Sequence, residues 1–69
     1  MKDNHLKFAK ALHFGEAASV FAQDGRTLQL ESTYHGDRDE LWIIERDKDG
    51  KEVARHNTRF IATIEWLQS

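Results

Sequence analysis

Four histidines, His5, His13, His35 and His56, are the first side chains in this chain that could do chemistry. Imidazole binds zinc, but zinc sites draw on closely spaced His and Cys, and the chain has no cysteine. His35 with Asp37 and Asp39 is the one local group of ligand types, and its polar, glycine-bearing surroundings read as a solvated turn. Asp47-Lys48-Asp49-Gly50 looks like half a calcium loop. Placing Gly50 sixth puts Glu45 first and His56 where a bidentate glutamate is required, so the match fails. No metal or cofactor is expected.

Nucleophilic catalysis would draw on Ser19, Ser32 or Ser69, none of which sits in a G-x-S-x-G elbow. The carboxylates fall in turn-rich polar segments, where water keeps them ionised. A chain of 69 residues also has little room for a ligand cavity of roughly 300 Å³ or more beside its own core. The reading is a protein that is not an enzyme, with no catalytic residues to name.

A third constellation is basic and aromatic: Arg55, His56, Arg59 and Phe60, with Tyr34 as a further stacking side chain. Small barrels bind single-stranded nucleic acid by pairing stacking aromatics with cations. The balance of charge speaks against this, because ten Lys and Arg face twelve Asp and Glu, whereas general binders carry a basic face. Residues 37–52 hold seven acidic side chains against four basic ones, a net of −3 that favours a basic partner over a polyanion. A solvated hairpin rim accounts for the same run of charge.

The elements that must position these residues are organised around Glu40 to Asp47. Leu41, Trp42, Ile43 and Ile44 are all large and apolar, so alternation places Trp42 and Ile44 on one face and Leu41 and Ile43 on the other. Strands apolar on both faces are covered on both sides. This is the expected central strand.

Upstream, Asp3 or Asn4 as N-cap, Phe8, Ala11 and Leu12 at helical spacing, and Gly15 as C-cap predict a helix over 4–14. A strand competes, since Leu6, Phe8, Leu12 and Phe14 alternate with Lys10 interrupting. Residues 17–22 and 27–34 flank Asp24-Gly25, which predicts a hairpin; Asp49-Gly50 predicts another, leading into a strand over 51–57. A turn at 57–59 then precedes a fifth strand over 60–67, where a helical stripe of Phe60, Ile61, Ile64 and Leu67 is the rival. Trp42 and Trp66 would join Ile44 and Ile64 in the core.

The fold class is therefore α+β, mainly β: a single domain with an N-terminal helix over 4–14 and an antiparallel meander sheet or small barrel of four or five strands over 17–67. By element count and order, one helix and five short strands resemble SH3-like and Sm-like small barrels, and no residue is carried over from them. So small a domain buries about 60% of its unfolded surface, which leaves room for a partner subunit to complete it. The expected role is a non-enzymatic protein-interaction module, a regulator or inhibitor of the kind encoded by bacteria and their phages. It would bind another protein or a second copy of itself through Leu41, Ile43, Tyr34, Arg55, His56 and Arg59. Single-stranded nucleic acid is the alternative. No run approaches the roughly 20 apolar residues of a membrane span, and Lys7, Lys10 and His13 break the N-terminal apolar run, so a cytoplasmic protein without a signal peptide is expected.

Overall fold

One antiparallel sheet of six strands carries the structure, a computed structural model that describes residues 7–35 and 38–67. The strands are β1 (Phe8–His13), β2 (Val20–Phe21), β3 (Thr27–His35), β4 (Arg38–Arg46), β5 (Glu52–Asn57) and β6 (Thr63–Trp66). A 3₁₀ turn over Thr58–Phe60 links β5 to β6. Among the described residues there is no α-helix, and so none long and apolar enough to cross a membrane.

The expected helix over 4–14 is thus corrected: residues 8–13 are strand, and residues 4–6 lie outside the described part. β1 pairs with β3 through Phe8 and Ala9, with β2 through Ala11 and Leu12, and with β6 through Ala9 to His13. A strand with partners on both edges is fixed by those partners, and this outweighs the helical propensity of a short segment. Lys10, which interrupts the alternation of Phe8 and Leu12, sits where the β1–β6 register shifts, an extra residue in the ladder. Gly15, with φ of +74°, turns the chain after β1 instead of capping a helix.

A second correction concerns Asp24-Gly25. The turn itself forms: the Arg26 amide donates to the Gln23 carbonyl at 2.9 Å, with φ of 57° at Asp24 and 83° at Gly25. Its flanks nevertheless do not pair with each other. Both β2 and β3 run antiparallel to β1, and β6 occupies the opposite edge of β1, so β2 and β3 share one edge with residues 23–26 looped out between them. The Asp47–Gly50 turn does join a true hairpin, β4–β5. There Asp47 Oδ1 accepts from the Asp49 and Lys51 amides at 2.9 and 3.0 Å, and the Asp47 carbonyl accepts from Gly50.

Across the sheet the order is β6, β1, β3 (with β2), β4, β5. A flat sheet would hold β5 and β6, four places apart, about 19 Å from each other. The link from Asn57 to Thr63 has three of its steps in the 3₁₀ turn and reaches roughly 16 Å. The sheet therefore curls into an open half-barrel. Ala9, Leu12, Leu28 and Ile43 fill the inside of the curl, with Phe14, Val20, Ala22, Leu30, Ile61 and Ile64 packed against them.

β4, expected to be the central strand, is an interior strand between β3 and the edge strand β5, while β3 holds the middle of the sheet; it is buried at both Ile43 (0% exposed) and Ile44 (1%). The two burials differ in kind. Ile43 points into the curl, while Ile44 lies on the outer face beside its cross-strand partners Gln29 and Arg55. On that face Arg46 donates to Gln29 at 3.0 Å and to Glu31 at 2.9 Å, so long polar side chains form its roof. The two tryptophans are not core residues, a further departure from expectation. Trp42 is half-buried on the outer face, and Trp66 is exposed with the Lys7 ammonium 5.3 Å from its ring.

Candidate protein-binding groove

At the end of the sheet where β5 gives way to the 3₁₀ turn, six side chains line an open hollow of about 350 Å³: Phe14, Trp42, Arg55, His56, Asn57 and Phe60. Each element contributes for a local reason. Trp42 and Asn57 are cross-strand partners, as are Ile43 and His56. Asn57 N-caps the 3₁₀ turn, its Oδ1 accepting from the Arg59 amide at 3.0 Å, and the turn presents Phe60 at 71% exposure. Phe14 follows β1, and its ring lies 5.7 Å from that of His56.

The polar members of the hollow are already engaged. Arg55 stands 5.7 Å from the Trp42 centroid and makes a two-pronged contact with Glu52, at 2.9 and 3.0 Å. That contact holds the Glu52 carboxyl below the ordinary glutamate range and raises the Arg55 guanidinium. His56 Nε2 lies 3.2 Å from Glu45 Oε1, and Arg26 donates to Glu45 Oε2 at 2.6 Å. Glu45 is the buried charged side chain of the described residues, at 7% exposure, and these two partners are what its burial requires. A second depression, about 240 Å³, adjoins the first through Asn57 and is lined by Asp39, Glu40, Leu41, Thr58 and Arg59. Asn57 Nδ2 donates to Glu40 Oε1 at 3.2 Å across the wall between them.

The structure sorts the sequence-derived contact residues. Arg55 and His56 line the first hollow, Leu41 (46% exposed) and Arg59 line the second, and Asn57 lines both. Ile43 lies in the core with no exposed surface, so it cannot itself meet a partner, and the apolar patch proposed for Leu41 and Ile43 reduces to Leu41. Tyr34 lies in β3, and its side chain is outside the described part. Sequence reasoning missed Trp42 and Phe14 as lining residues. Phe60 was legible as a companion of Arg55 and Arg59; Phe14 was not, because its place depends on β1 being a strand.

One constellation emerges from the fold alone. His13 Nδ1 is 2.8 Å from Ser19 Oγ, and His13 Nε2 is 3.2 Å from Glu65 Oε2. Serine, imidazole and carboxylate in series are the parts of an activated nucleophile. Here Ser19 borders a depression of about 610 Å³, but His13 and Glu65 do not line it. The chain of bonds ties β1, the loop before β2 and β6 together as a cross-strand brace. His5 and Asp37 lie outside the described residues, as does the His35 side chain, and among those described no three His, Asp or Glu converge on a point that would hold a metal. No protein-family model, curated protein or solved structure matches the chain.

Proposed function

We propose that this chain is a small non-enzymatic interaction module that binds another protein through the groove at Trp42 and Phe60. The observation that carries the reading is the exposure of Phe60, 71%, at the mouth of a hollow whose other walls are largely aromatic. A large apolar side chain left in water beside a preformed apolar hollow is the arrangement of an anchor site, where buried aromatics supply most of the affinity. A regulator or inhibitor acting by occupancy alone needs nothing more.

Single-stranded nucleic acid is the second reading, favoured by Arg55 lying over Trp42. Against it, Glu52 neutralises Arg55 and the chain as a whole is at −2. The test is selection of a displayed random-peptide library on the full chain, alongside a labelled single-stranded oligonucleotide. Peptides retained by the wild type and lost on Phe60→Asp, with circular dichroism unchanged, support the module. Oligonucleotide binding that falls steeply with salt and requires Arg55 and Arg59, with no peptide retained, replaces it with the nucleic-acid reading.

A further inference from the structure

The two adjoining hollows differ in chemistry, and the difference specifies a ligand. Trp42 and Glu40 are two residues apart on β4, so their side chains share a face about 6.7 Å from each other. The first hollow is walled by Phe14, Trp42 and Phe60; among the described side chains, the second holds Asp39 and Glu40 with one guanidinium, Arg59. The donor to Glu40 is the neutral Asn57 amide, so that bond orients the carboxylate and leaves its charge in place. Arg55, the cation of the first hollow, is matched by Glu52.

From this we infer that the groove takes an extended peptide segment of a partner protein in which a large apolar residue and a Lys or Arg are two positions apart. An extended peptide repeats side chains on one face at the same spacing as β4 does, so one residue enters the aromatic hollow as the next on that face reaches Glu40, with Asp39, next to Glu40 on β4, adding its charge at the second hollow. The inference rests on the groove being a peptide site, as proposed above, and adds the charge of the partner.

The experiment uses immobilised synthetic nonapeptides with Phe fixed at the centre. The positions two before and two after it carry Lys, Ala or Glu in turn, and the full-length protein is the probe. Lys is expected to exceed Glu at one of the two positions by about five- to tenfold at low salt, with the preference shrinking at 0.5 M salt, as a rim charge contact should. The double variant Asp39→Asn, Glu40→Gln removes both charges while keeping an amide oxygen that can still accept from Asn57. It is expected to bind the Phe-anchored peptides with no preference between Lys and Glu. Binding of anchored peptides with no basic preference, or a preference that survives the double variant, overturns this inference and leaves the peptide site standing. No binding to any anchored peptide overturns both.

Discussion

Arg55 lies 5.7 Å from the Trp42 ring centroid, and Glu52, three residues before it on the same strand, grips its guanidinium at 2.9 and 3.0 Å. The aromatic wall of the groove is thus set by an ion pair on the terminal strand of the sheet. Hydrogen bonding to Arg55 lowers the Glu52 pKa, so the interaction is complete above the ordinary glutamate value of about 4.3 and is lost as the pH falls through the lowered native value. Both side chains are well exposed, so the effect on global stability is small. The signal belongs to Trp42. In a Trp66→Phe background, Trp42 fluorescence is expected to shift as the pH falls below the ordinary glutamate range, and Glu52→Gln should remove the shift. An unchanged acid transition in Glu52→Gln would show that the pair does not position the ring.

Leu41 and Ile43 stand two residues apart on β4 with opposite fates, 46% and 0% exposed. Ile43→Ala removes side-chain volume from among Ala9, Leu12 and Leu28 and is expected to cost about 2–5 kcal/mol in urea unfolding. Leu41→Ala should stay within about 1 kcal/mol. A large loss in Leu41→Ala would place that residue in the core and remove it from the groove.

Glu45 is buried between Arg26 at 2.6 Å and His56 at 3.2 Å. Arg26 is half-exposed and can turn to water when the carboxylate is removed; the His56 side chain, 19% exposed, is less free to do so. Glu45→Ala is therefore expected to cost about 1–3 kcal/mol, and Glu45→Gln less, because the amide still fills the space and accepts one bond. The denaturant midpoint separates the two. Equal losses would mean that volume, not hydrogen bonding, is what Glu45 contributes.

The sequence showed those parts of the fold whose causes are local. Leu41 to Ile44 predicts an interior strand because apolar residues on both faces need cover, which Ile43 and Ile44 find, and Asp47 to Gly50 predicts a hairpin because Asp47 and Gly50 supply an acceptor and a positive φ. β1 was hidden because its identity depends on β3 and β6 partners 19 to 57 positions downstream, and because small residues, Ala9 and Ala11, fill its buried positions where propensity favours helix. The groove inherits that error. Arg55, His56 and Arg59 could be chosen for their chemistry, whereas Phe14 reaches them only through the curl that brings the end of β1 beside β5. The Ser19–His13–Glu65 brace was equally out of reach, with His13 and Glu65 52 positions apart.

Gly25 and Gly50 have nearly the same backbone, φ of +83° and +84°, in different surroundings. A methyl group on Gly50 would meet nothing within 4 Å, so Gly50→Ala should carry the left-handed penalty alone, about 1–2 kcal/mol. At Gly25 the same methyl would come to 3.0 Å from Lys48 Cβ, an atom fixed to the backbone of the β4–β5 hairpin and unable to rotate away. Gly25→Ala is therefore expected to cost about 1 kcal/mol more than Gly50→Ala. The excess can be isolated by a double-mutant cycle, since Lys48→Gly removes the opposing carbon. If the looped-out 23–26 turn packs on the hairpin, Gly25→Ala in the Lys48→Gly background should cost no more than Gly50→Ala does in the parent. An excess that persists without Lys48 Cβ would mean that the two turns are not in contact.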